Sequence, residues 1–156
     1  MSGARQRGAV AIEFAIVLIP LSMLVFGIAE FGRAFYQYDT IVKATRSAAR
    51  YLSVQTTGVG IREAKCLVVA GTVDPDTCAP PLLSGLTAGM VSVHYIDGVS
   101  TCEPGVVTGC GAINLVEVCV NCADSAEKFQ FVSVVKLFVP DIAFGEIRAV
   151  MRREGA

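Results

Sequence analysis

Apolar residues follow three different patterns along this chain, and each predicts a different kind of element. From Ala9 to Ala29, 21 residues pass with one charge among them, Glu13; that is the length a helix needs to cross a bilayer. From Phe31 the apolarity becomes periodic. Phe31, Ala34, Phe35, Tyr38, Ile41, Val42, Thr45, Ala49 and Leu52 recur three and four residues apart, with Arg33, Gln37, Lys43, Ser47 and Arg50 on the other side. Such spacing predicts that the helix continues as an amphipathic spine whose stripe faces a core. A helix from Val10 to Leu52 would be about 60 to 65 Å long at 1.5 Å per residue. After a break at Thr56 to Gly60, Ile61 to Ala70 reads as a short second helix and Gly71 to Gly89 as a loop rich in Pro, Gly and Thr. The third pattern is alternation by two in Met90 to Ile96, Ile113 to Val120 and Phe129 to Val139. Turn signals at Asp97-Gly98 and Glu103-Pro104-Gly105 punctuate these strand candidates. Phe144 to Arg152 fits a strand and a short helix equally.

A long helix laid across a small antiparallel sheet is the economical way to bury these faces. The expected class is α+β, with an N-terminal transmembrane helix continuing as a spine packed on the sheet. At 156 residues the chain has room for one compact head and one long anchor. The segmentation that follows is a leader at 1–8, a membrane helix at 9–30, its extension at 31–55 and a disulfide-containing head at 56–156.

Composition and charge sharpen this picture. The chain is 53% hydrophobic and 17% charged and has no Trp, too apolar for an ordinary cytosolic domain of this size. Its net charge of -1 offers no basic excess for counterion release, which argues against a nucleic-acid partner. Arg5 and Arg7 precede the apolar run with no acidic residue beside them. A basic flank of this kind predicts a cytoplasmic N-terminus and an exported remainder. All six cysteines, Cys66, Cys78, Cys102, Cys110, Cys119 and Cys122, fall in that exported part, where disulfides persist. Six cysteines allow about 15 pairings. Cys66 with Cys78 and Cys102 with Cys110 would be local closures that leave Cys119 with Cys122, and the spacing does not decide among the alternatives.

Glu13 is the residue that a simple anchor does not explain. A carboxylate costs up to roughly 2.5 to 3.5 kcal/mol at the centre of a membrane helix and less near its end, and such groups usually mark a partner or a function. A cleaved secretory signal fits poorly, because Phe26-Gly-Ile-Ala-Glu-Phe31 lacks a clean small-x-small site before a polar mature start. An uncleaved anchor carrying a periplasmic binding module is the alternative, with Glu13 as a snorkelling interfacial carboxylate. Elsewhere no catalytic set is visible. His94 alternates with Val93 and Tyr95 on a strand candidate and reads as a structural histidine. Cys119-Val-Asn-Cys122 has redox-like spacing but follows a strand-like run instead of opening a helix. No enzyme activity, metal or cofactor is expected.

The stretch Arg7-Gly8-Ala9-Val10-Ala11-Ile12-Glu13-Phe14-Ala15 resembles the type IV prepilin cleavage motif. The run from Gly8 to Arg50, with Glu30-Phe31-Gly32-Arg33 and Ala48-Ala49-Arg50-Tyr51, is similar to the TadE-like family of the tight-adherence pilus system. The closing Val150-Met151-Arg152-Arg153-Glu154 also resembles that family's C-terminus. The resemblance implies a minor pilin or pseudopilin in the bacterial inner membrane, cut by a prepilin peptidase between Gly8 and Ala9. It also implies that Glu13 pairs with the new α-amine of a neighbouring subunit, that Phe14 joins the same inter-subunit contact, and that Pro20 kinks the helix. Other pilins or pseudopilins and the pilus assembly platform would be the partners.

Overall fold

The computed structural model describes residues 3–100, 112–136 and 139–153. The first element, α1, is a single helix over Gly3–Ser53 that keeps Pro20 inside it. It begins earlier than the apolar run because nothing in Gly3 to Gly8 stops a helix, and it ends where the Ser53 hydroxyl donates to the Arg50 carbonyl at 2.8 Å. A second helix, α2, spans Ile61–Ala70. It is entered from Gly60 at φ 80° and closed by Gly71 at φ 74°, whose amide donates to the Leu67 carbonyl. Gly60 is doubly constrained: besides the left-handed backbone, a Cβ there would lie 3.0 Å from the Tyr51 ring.

By its contacts the chain forms two compact units, Met1–Tyr36 with Phe131–Ile142, and Gln37–Gln130 with Ala143–Ala156. The second unit holds a three-stranded antiparallel sheet of β1 (Val91–Ser100), β2 (Ala112–Val120) and β5 (Ile147–Arg152), with β2 in the centre. Pairing of Val91 with Val120 and of Val118 with Ala149 sets the register. Because side chains alternate along a strand, this register puts Val91, Val93, Tyr95, Val116, Val118, Val120, Ile147, Ala149 and Met151 on one face. Ile41, Ala44, Ala48, Ala49 and Leu52 of α1 join that face in the core, with Ala64, Val68 and Val69 of α2 and Phe129. The opposite face carries Ser92, His94, Glu117, Arg148 and Arg152.

The first unit is the N-terminal part of α1 together with Phe131–Ile142. Two short strands, β3 (Gln130–Phe131) and β4 (Ile142–Ala143), pair at the ends of that segment.

Helix, second helix and sheet follow the sequence reading, with three differences. Among the described residues of Phe129 to Val139 only Gln130–Phe131 is a strand, and it lies outside the main sheet; the Ser133 hydroxyl and the Val134 amide bond to Glu30 instead of to a neighbouring strand. The third strand is β5, where Ile147 and Ala149 are buried and Arg148 and Val150 exposed. The periodic stripe of α1 also divides: Ala34, Ile41, Thr45, Ala49 and Leu52 are buried, whereas Phe31 and Phe35 remain about two-thirds exposed.

Candidate functional site

Along α1 the residues from Gly8 to Leu21 are exposed without exception. They belong to the one helix among the described residues, Gly8–Ser53, that is long and apolar enough to cross a membrane. Val10, Glu13, Phe14 and Val17 line a shallow depression on it, as residues three and four apart must on a helix. Glu13 has no ion-pair partner among the described residues, and its carboxylate stands in an apolar face. Gly8 and Ala9 lie one helical turn before it. A Cβ added at Gly8 would meet nothing within 4 Å, so glycine is not demanded there by packing. The bond between them sits near the start of α1, where a helix frays readily. Pro20 denies the Ile16 carbonyl its usual amide, and Ser22 near it donates its hydroxyl to the Ile19 carbonyl at 2.8 Å.

At the far end of the apolar run the structure reveals a site that pattern reading missed. Glu30 is buried, 7% exposed. One of its oxygens accepts from Arg33 Nη2 at 2.9 Å, from the Ser133 hydroxyl at 3.0 Å and from the Val134 amide at 3.0 Å. The Arg33 guanidinium also donates to the Val132 carbonyl at 2.7 Å and lies 4.4 Å from the centre of the Phe131 ring. A buried carboxylate is tolerated only when paired and hydrogen-bonded, and here both conditions are met. The signal in the sequence was Glu30 three residues before Arg33, a helical ion-pair spacing; its partners about a hundred residues away gave none.

In the second unit Cys66 is joined to Cys78 and Cys119 to Cys122, with Cα separations of 5.2 and 5.9 Å; Cys102 and Cys110 lie outside the described residues. Glu117, Cys119 and Cys122 bring potential ligand atoms within 4.8 Å of one another, yet the two sulfurs are bonded together and offer no thiolate. His94 Nε2 lies 3.1 Å from an Asp124 oxygen. On the same face Arg148 Nη1 meets Glu117 at 3.1 Å. Arg148 also bonds Glu146, whose carboxyl it holds below the usual carboxylate range. Asn121, at φ 63° and buried, donates to the Phe129 and Phe144 carbonyls at 2.9 and 3.1 Å and accepts from the Phe129 amide at 2.7 Å. It was not singled out in the sequence, although an Asn between strand-like runs is a common left-handed residue.

Among known proteins the likeness is confined to the helix. The model of the family described as TadE-like protein matches residues 8–50. Over those residues the helix is similar to the TadE-like family. No curated protein matches the chain, and no solved structure does. The TadE-like match begins at Gly8 and includes Glu13, Pro20, Glu30 and Arg33; it ends within α1, so α2, the sheet and the disulfides lie outside it. The likeness is that of this segment to the TadE-like family.

Proposed function

We propose that this protein is a minor pilin or pseudopilin that takes part in assembling a tight-adherence pilus. In this reading residues 1–8 are a cytoplasmic leader, 9–30 cross the inner membrane, 31–55 extend the helix into the periplasm and 56–156 form the head there. A prepilin peptidase cuts between Gly8 and Ala9, and the mature helix then packs among those of other pilins on the assembly platform. The observation that carries it is the unpaired Glu13 carboxylate in an exposed apolar helix face, five residues after a glycine. Cleavage would create a cation on Ala9, with a reference pKa of about 7.7 to 8. One turn separates Ala9 from Glu13, so a small axial stagger between neighbouring helices brings amine and carboxylate together. In a low-dielectric setting that pair is costly to leave unmade and so fixes register between subunits.

Mass spectrometry of the membrane-extracted protein tests this directly. Removing eight residues of 156 leaves a mature chain of 148 that begins at Ala9. Gly8→Val should block processing by crowding the peptidase cleft without disturbing the fold, since nothing packs on Gly8. Wild-type protein that still begins at Met1 or Ser2 would instead be an uncleaved anchor.

A further inference from the structure

The Glu30 site does more than satisfy Glu30. It holds the turn Val132-Ser133-Val134 through four of its polar groups: the Val132 carbonyl accepts from Arg33, the Ser133 hydroxyl and Val134 amide donate to Glu30, and the Ser133 amide donates to Asp141 at 2.9 Å. The two valines, however, are left largely uncovered, 57% and 77% exposed. A turn built for water could leave its amides and hydroxyl to water and would gain nothing from exposing two valines. A turn at the edge of a bilayer must bring its own hydrogen-bond partners and gains from apolar tips. Position along the chain agrees: Glu30 immediately follows the apolar run Ala9 to Ala29, at the level where a spanning helix meets the headgroups. Charge agrees as well. Arg33 keeps about a third of its side chain exposed, and the ammonium of Lys136, which is 67% exposed, lies 3.5 Å from Asp141. Cations beside apolar tips suit a surface of lipid phosphates.

We infer that Val132 and Val134 form a second membrane contact, seated in the interfacial layer of an anionic phospholipid bilayer beside the point where α1 leaves it. The inference rests on the reading of α1 as a membrane-spanning helix and adds to it a loop from the other end of the sequence, outside the TadE-like match. Glu30 is then a positioning residue for that loop.

The absence of Trp from the chain makes the test direct. Full-length Val134→Trp, Leu24→Trp and Val59→Trp proteins are reconstituted in vesicles of phosphatidylethanolamine and phosphatidylglycerol, and their fluorescence is read against aqueous iodide and against lipids brominated high on the acyl chain. Leu24 lies in the proposed span, and Val59 is an exposed head position. The expected result is that the indole at position 134 is quenched by bromolipid and is several-fold less sensitive to iodide than the indole at 59. Adding Glu30→Gln should restore much of the iodide sensitivity at 134. Bromolipid quenching at 24 together with full iodide quenching at 134 overturns the inference and leaves the span intact. Protection at 134 from both quenchers overturns it in favour of a protein neighbour. No bromolipid quenching at 24 overturns the span reading and this inference with it.

Discussion

At Glu13 a carboxylate stands on a helix face otherwise made of Val10, Phe14 and Val17, and no part of the described fold depends on it. Glu13→Ala is therefore expected to insert as well as wild type or better, to be processed normally and to fold normally, while co-purification with other pilins and pilus formation fall. Processed, folded Glu13→Ala protein that assembles at wild-type levels would return Glu13 to the role of a snorkelling carboxylate. Asn121 is the opposite case. It makes three hydrogen bonds from a buried, left-handed position, and Lys128 Nζ donates to the Asn121 backbone carbonyl at 2.9 Å and also to that of Cys122. Asn121→Ala leaves the Phe129 amide unpaired and strains the backbone, so denaturant unfolding should report a loss of about 2 to 4 kcal/mol. Asn121→Gly, which keeps the backbone conformation, should lose less. Gly8 and Glu13 could be singled out in the sequence because their spacing is joined to a basic flank and an apolar run of 21 residues. Glu30 and Asn121 could not be read fully, because their partners are distant in sequence and a period-based reading has no access to them.

At the scale of elements, periodicity served well where one physical cause set the pattern and failed where two competed. The β2 strand alternates in part: Val116, Val118 and Val120 turn to the core, and the other face carries Glu117 and Cys119 beside Ile113 and Leu115. Phe129 to Val139 alternates too, but hydrogen bonds to Glu30 and Asp141 took its backbone out of the sheet. The upper stripe of α1 predicted burial for Phe31 and Phe35 as well as for Ile41 and Leu52. Only the latter pair meets the sheet, since the core begins within the second unit. For β5, helix and strand fitted equally until β2 supplied a partner edge. On its outer face Arg148 links Glu146 to Glu117. A carboxyl held low in the folded state stabilises above its unfolded pKa, about 4.3 for glutamate, and loses that contribution as pH falls through the folded value. Acid titration of head stability should therefore show a loss below about pH 4.3 that is shallower in Glu146→Gln. Because the pair is substantially exposed, raising the salt concentration should shrink the difference.

For the whole molecule, the sequence conveyed a long apolar N-terminal helix and a small antiparallel sheet, because those rest on length, hydropathy and period. It did not convey that Phe131–Ile142 belongs with the N-terminal part of α1. If the head is exported, alkylation of protein purified without reductant should find no free thiol at Cys66, Cys78, Cys119 or Cys122; finding them reduced would count against both the bonds and the proposed topology. Replacing Cys66 and Cys78 together by Ala should lower stability by about 2 to 4 kcal/mol, read from denaturant midpoints. The described bridges close over only 12 and 3 residues. A chain threaded across a membrane presents its cysteines in order, and each of these partners emerges shortly after the one it joins. If the head is delivered in that order, each of the two described closures can finish before the cysteines of the other arrive, so the order of delivery itself guards these two bridges against exchanging partners.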